Sequence, residues 1–187
     1  MSRRVLWLVV AIAAFSVASS ATALTLPDPV PLTWFAVLSG AQEVPAVETQ
    51  GWGTAVFMLA PGGEAIHYQL VVANIWNVIA SHIHLAPAGV NGAVVVFLYG
   101  PAAPAGGRLD GVIAQGTFTA ANFVGPLAGQ PLSALIDAMQ SGNAYVNVHT
   151  NDGVAPTNTG PGDFPGGEIR GQIQAANALG AALRRRP

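Results

Sequence analysis

Three histidines are the residues of this chain whose type and spacing favour metal chemistry. His82 and His84 stand two residues apart in the segment SHIH, and His149 closes the segment YVNVH. Residues at i and i+2 of a β-strand lie on the same face, so both segments should direct their histidines away from the apolar positions between them. Three neutral imidazoles suit copper(II) or zinc, with a water or another ligand in the remaining position. The sequence therefore predicts a candidate site for one such ion.

The same histidines also have a structural interpretation. Histidines on strands often hydrogen-bond to carboxylates or backbone carbonyls and so hold loops in place. Softer metals such as copper(I) are disfavoured, because the chain has no cysteine and only three methionines. The fourth histidine, His67, shares its face with Gln69 and is interpreted as a surface residue. Metal binding and a purely structural role both remain open at this point.

Short strands must position these residues. Apolar and β-branched segments recur along the chain, each bounded by Gly, Pro, Asn or Asp. They predict strands at 34–38, 54–59, 65–73, 78–85, 93–99, 112–119, 144–150 and 168–174. Apolar residues at helical spacing after a proline predict one short helix at about 131–141. The pattern is typical of an all-β protein, an antiparallel sandwich or barrel with one helix.

The N-terminal residues have the pattern of an export signal. Arg3 and Arg4 precede an apolar run that ends at the small residues ATA, which predicts a signal peptide over 1–23 cleaved near Ala23. We therefore expect a secreted or periplasmic protein. The remaining chain divides into a linker (24–33), a β-domain (34–174) and a basic tail (175–187).

The charge balance limits the partners. Between residues 25 and 174 two arginines face nine carboxylates, a formal charge of −7, which disfavours nucleic acid and anionic lipid. The apolar run after residue 174 is too short to span a bilayer, so no stable membrane span is expected after signal cleavage. The partner is then an extracytoplasmic protein, a glycan or a metal ion. A protein or glycan partner would require an exposed patch, for which Trp52, Trp76 and Phe164 are candidates.

Other polar residues give weaker signals. Glu168 and Arg170 share one strand face, which favours an ion pair between them. The irregular stretch 150–167 contains Asp152 and Asp163, which fit either a site for a hard cation or a mobile loop. The chain has no G-x-S-x-G, H-E-x-x-H, phosphate-binding or dinucleotide-binding motif, so no catalytic residue is predicted.

Four motifs, in order, resemble those of the CHRD domain, which occurs in repeats in chordin and singly in many microbial exported proteins. The segment LSGAQEVP at 38–45 resembles its opening motif, and SHIH at 81–84 followed by GVNG at 89–92 resembles its central motif. The segments YVNVHT at 145–150 and GEIRGQI at 167–173 resemble its closing motif. The resemblance extends from about Phe35 to Gln174, most of the chain that follows the signal.

This resemblance implies a β-sandwich or barrel of immunoglobulin-like character in an exported protein that is not an enzyme. The stretch between His149 and Glu168 is longer than usual for the family, which predicts a loosely held third histidine. A looser analogy links the H-x-H strand to copper-zinc superoxide dismutase, another β-sandwich with histidine ligands. Four histidines cannot fill that enzyme's two-metal site. The alternative to a binding module is therefore an enzyme with a single copper or zinc ion on a similar sandwich.

Overall fold

The computed structural model describes residues 32–176. The predicted signal peptide, most of the predicted linker and most of the basic tail lie outside the described residues. The described part contains nine strands, one α-helix (α1) and three short 3₁₀ turns. The strands are β1 Thr33–Ser39, β2 Trp52–Leu59, β3 Ile66–Trp76, β4 Val78–Leu85, β5 Ala93–Tyr99, β6 Arg108–Phe118, β7 Ala144–Thr150, β8 Ile169–Gln172 and β9 Gln174–Ala175. The helix α1 is Leu132–Gln140, and the 3₁₀ turns are Gly40–Gln42, Ala120–Asn122 and Gly125–Leu127.

The strands form one antiparallel sheet that curls into a nearly closed barrel. The order across the sheet is β5-β4-β7-β8-β1-β2-β3-β6, and β9 also pairs with β1. Every strand pair in the described part is antiparallel. The prediction of an all-β antiparallel sandwich or barrel with one short helix is confirmed.

Alternating side chains build the core inside this sheet. In β2, inward residues such as Ala55 and Phe57 are buried while Val56 and Met58 between them are exposed. This alternation follows from the period of two in a strand. The inward residues of the strands and the buried side of α1 form one continuous hydrophobic core. The core includes Trp34, Leu38, Phe57, Ile66, Leu70, Ile83, Leu135, Met139, Val146 and Val148.

The predicted strands agree best with the structure around the histidines. The bounds of β4, β5 and β7 are those predicted from the sequence. β6 begins earlier than predicted, at Arg108, because β3 continues to Trp76 and pairs with it there. A register irregularity between Val72 and Ile75 lets these two long strands bend. Within the described residues, no helix is long and apolar enough to cross a membrane.

Candidate metal centre

β4 and β7 bring the three predicted histidines together. The strands pair antiparallel with His82 opposite Asn147 and Ala80 opposite His149, so the histidine rings project from one side of the sheet. Ile83 points to the other side and is fully buried, as the alternation predicts. One nitrogen atom from each of the three rings lies within 4.8 Å of the others. Nitrogens that share one zinc or copper ion each lie about 2 Å from it and so within about 4 Å of one another, which means that the rings would have to move closer together to hold one ion.

Backbone carbonyls determine which nitrogen carries the hydrogen in two of the rings. His84 Nδ1 donates to the carbonyl oxygen of Gly92 at 3.0 Å, and His149 Nδ1 donates to that of Pro165 at 2.9 Å. Because a carbonyl can only accept, both neutral rings carry their hydrogen on Nδ1 and keep a lone pair on Nε2. His82 Nδ1 lies 3.1 Å from His149 Nε2. The Nε2 atoms of His82 and His84 are buried and have no hydrogen-bond partner.

The surroundings keep the three rings neutral. Burial, with smaller contributions from the neighbouring His149 and His84, lowers the pKa of His82 to about 4. Burial is also the largest cause of the lowered pKa of His84 and of His149. Their backbone hydrogen bonds oppose that shift in part. A neutral imidazole is the form that binds metal, so these rings need not lose a proton first at neutral pH.

The histidines lie on a polar but buried surface. Every residue of β7 is buried, on both sides of the strand, so the side that faces away from the core is not open to solvent. His84 and His149 expose only 7% and 9% of their surface. We call this surface the covered face of the sheet. It consists of the outward residues of β4, β7 and β8, namely His82, His84, Tyr145, Asn147, His149 and Arg170.

The long loop after β7 holds the third histidine instead of leaving it loose. Pro165, which accepts the hydrogen bond from His149, belongs to this loop. The loop is also fixed at its base, where the Thr150 amide donates to the carbonyl oxygen of Phe164 at 3.2 Å. The Phe164 amide donates to the Thr150 hydroxyl at 3.0 Å. The expectation of a loosely held His149 is therefore wrong.

Glu168 and Arg170 do not form the predicted ion pair. The Glu168 carboxylate accepts from the hydroxyls of Thr49 at 2.5 Å and Thr150 at 2.6 Å, and from the Gly162 amide at 2.8 Å. Arg170 donates instead to carbonyl oxygens of the loop between β4 and β5. In the part of the chain that the structure describes, the one ion pair joins the side chains of Arg108 and Asp110. Although Glu168 and Arg170 share a strand face, they do not pair, because each forms its hydrogen bonds with other groups, mainly from the loops.

Glu43 is a buried acidic residue that the sequence analysis missed. It exposes 7% of its surface, and Asn147 Nδ2 donates to its Oε2 at 3.4 Å. Burial raises the pKa of Glu43 to about 7, although the positive charge of Arg170 acts in the opposite direction. Its Oε1 and the Asn147 Oδ1 are buried without a partner. Gly167 packs over both oxygens, since a Cβ there would lie 2.8 Å from the first and 2.6 Å from the second.

The remaining sequence candidates lie apart from this cluster. His67 is exposed, as predicted, and its Nδ1 lies 2.7 Å from the hydroxyl of Thr117. Asp152 and Asp163 each accept hydrogen bonds from their own loop, and the two do not join a common group. Among residues 32–176, the group of possible metal ligands is that of the three histidines.

The predicted aromatic patch is partly accessible. Trp52 and Trp76 each expose 48% of their surface, and Phe164 is half-buried. The structure therefore leaves the two tryptophans available to a partner.

The fold and the site together define a small antiparallel β-barrel domain with a buried histidine cluster on its outer side. The family model of the CHRD domain matches residues 34–173. The chain therefore belongs to the CHRD-domain family. A search of curated proteins and a search of solved structures each gave no significant match.

Proposed function

We propose that this chain is an exported CHRD-domain protein that binds one copper(II) or zinc ion at His82, His84 and His149. It would act outside the cytoplasm as a binding or structural protein. The observation that carries the proposal is the pair of backbone carbonyls that hold the Nδ1 hydrogens of His84 and His149. This arrangement leaves the Nε2 lone pair of His84 without a partner, while that of His149 points into the cluster and faces His82 Nδ1 at 3.1 Å. Outer partners of this kind commonly orient metal-binding histidines.

The shielding of the site favours retention of an ion over catalysis. The Nε2 atoms of His82 and His84 are shielded from solvent. A catalytic metal ion keeps a coordination position that a substrate can reach. A site enclosed by loops therefore supports a binding or structural role better than a copper or zinc enzyme of the superoxide dismutase type. The enzyme alternative predicts turnover of superoxide by the metal-loaded protein.

The support for export comes from residues 1–23, with their two arginines, apolar run and small-residue cleavage pattern. The proposed division places a linker at 24–33, the domain at 34–174 and a basic tail at 175–187. The matched family region fits the proposed domain. A protein, a glycan and a metal ion are all partners that an exported protein could meet outside the cytoplasm.

A titration with copper(II) and with zinc tests the metal proposal. The wild type should bind about one equivalent in competition with a chelator, because three neutral ligands converge. The triple variant with alanine at the three sites should lose this binding. His67→Ala, which removes an exposed histidine, is the matched control and should keep it. Equal binding by the wild type and the triple variant would show that the histidines are structural.

A further inference from the structure

Arg170 reaches His84 through a stack of three buried groups. The guanidinium carbon of Arg170 lies 3.5 Å from the ring centroid of Tyr145. The Tyr145 ring lies parallel to the His84 ring, with 4.8 Å between centroids and 10° between planes. These three residues expose 1%, 2% and 7% of their surface. A planar cation over an aromatic face is attracted to it, and burial strengthens the attraction. The stack therefore restricts the plane in which the His84 ring can lie.

Arg170 also fixes the loop that orients His84. Its Nη2 donates to the carbonyl oxygens of Pro87 at 3.2 Å and Val90 at 2.9 Å. Its Nη1 donates to Asn91 Oδ1 at 3.2 Å. The next residue in this loop is Gly92, the acceptor of the His84 hydrogen bond. The guanidinium thus holds the chain immediately before the carbonyl that sets the tautomer of His84.

Gly92 connects the stack to the loop. Its carbonyl accepts from His84 Nδ1, and its amide donates to the Tyr145 hydroxyl oxygen at 3.1 Å. A Cβ at this position would lie 1.9 Å from the carbonyl oxygen of Leu85, so the loop packs too closely there for a larger residue. The ring of Tyr145 and the backbone of Gly92 are consequently fixed relative to each other.

We propose that Arg170 is a positioning residue of the three-histidine site, which holds the ring plane of His84 through Tyr145 and its tautomer through the 87–92 loop. This inference rests on the proposed metal function, but its first test does not require metal. A lysine could not replace Arg170, because an ammonium group lacks the planar fork that donates to several carbonyls and stacks on a ring. His149 provides an internal comparison, since its acceptor, Pro165, lies in a different loop.

The first test uses histidine-ring NMR of the metal-free protein, in which nitrogen–proton correlations report the tautomer of each ring. The wild type should show the Nδ1–H form for both His84 and His149. In Arg170→Lys, His84 should show mixed tautomers while His149 keeps its pattern. Arg108→Lys, which changes the exposed arginine of β6, should leave both unchanged. An unchanged His84 in a folded Arg170→Lys protein would overturn the inference, as would equal changes in all three rings.

Tyr145→Phe keeps the test decisive if Arg170→Lys does not fold. This variant keeps the stacked ring and removes only the oxygen that accepts from Gly92. It should change the His84 signals by less than Arg170→Lys and leave His149 unchanged. No change at His84 in this variant would overturn the route through Gly92.

A copper(II) titration then separates the inference from the function. Arg170→Lys should bind about tenfold more weakly than the wild type, in the range found when outer partners of metal ligands are removed. Arg108→Lys should match the wild type. If the wild type binds no metal, the proposed function fails while the NMR result still decides the role of Arg170. If both arginine variants bind as tightly as the wild type, the function stands and the positioning role is overturned.

Discussion

The two halves of the sheet's outer surface differ in a way that hydropathy does not predict. We call the outward side of β1, β2, β3 and β6 the open face. It carries apolar side chains that remain about half exposed, including Val37 at 55%, Trp52 at 48%, Val56 at 46% and Val112 at 52%. The covered face carries histidine, asparagine and arginine, yet its residues in β7 and β8 are nearly all buried. Burial on the outside of this sheet therefore does not follow polarity: polar side chains are buried on the covered face, while apolar ones are exposed on the open face beside polar residues such as His67 and Gln69.

The difference teaches that the loops, rather than the strands, decide burial on the outside of this sheet. Segments around Glu43, Gly92 and Pro165 supply donors and acceptors to the covered face. A buried polar group is costly without a hydrogen-bond partner, so these loops must place a donor or an acceptor opposite the buried polar groups of the strands. Polar groups on the open face can hydrogen-bond to water and need no such partner. We therefore expect the covered face to respond strongly to small chemical changes and the open face to tolerate larger ones.

The largest effect is expected at Glu168, which joins three segments under the covered face. In Glu168→Gln, an amide NH₂ replaces an oxygen that accepts from Thr49 or from Thr150 and Gly162. At the Oε2 position this NH₂ would face the Gly162 amide, a donor that cannot accept, and at the Oε1 position it would turn the Thr49 hydroxyl into an acceptor and remove its bond to a charged carboxylate. Either arrangement should lower the free energy of unfolding by about 3 kcal/mol. Urea denaturation measures this loss. Glu48→Gln, at an exposed position, is the matched control, and a loss equal to that control would contradict the prediction.

An effect of up to the same size, but dependent on pH, is expected from Glu43. Its pKa rises from 4.5 to about 7 on folding, so between these values the folded protein holds a proton that the unfolded chain has lost. Stability contributed by Glu43 is therefore present below pH 4.5 and decreases as the pH rises to about 7, by up to about 3 kcal/mol. His82, whose pKa falls to about 4, acts in the opposite direction between pH 4 and 6.5.

Glu43→Gln separates these two contributions. The variant keeps a neutral side chain at every pH, so only the histidine contribution should remain. Unfolding measured at pH 4.5, 6 and 7.5 should show the variant gaining stability relative to the wild type as the pH rises. Parallel curves for the two proteins would refute the raised pKa of Glu43.

The smallest effect is expected on the open face. Val56→Thr keeps the β-branched shape at a position that exposes 46% of its surface, so stability should change by less than about 0.5 kcal/mol. Val148→Thr makes the same change in the fully buried core and should cost about 1–3 kcal/mol, because it buries a hydroxyl. Thermal unfolding of the two variants compares them. Equal losses would show that the open face is covered in solution.

Strand alternation allowed the histidine strands to be predicted. The period of two in the segments around His82 and Val146 indicated both the strands and the side from which each residue projects. The covering of that side could not be predicted, because the Gly- and Pro-rich loops have no periodicity. The burial of Glu43 depends on Asn147, a residue 104 positions away. The stack of Arg170 on Tyr145 depends on the pairing of β7 with β8, which local sequence does not encode.

The pairing of β4 with β7 has a consequence for folding. His82 and His149 are 67 residues apart in the chain, and they meet only when the two strands align in the observed register. A slip by one residue would turn the H-x-H rings into the barrel and expose Ile83. The cluster therefore exists in one alignment and is destroyed in its nearest competitors. A ligand bound by all three rings during refolding would favour the correct register of β4 and β7 and speed up the pairing of these two strands.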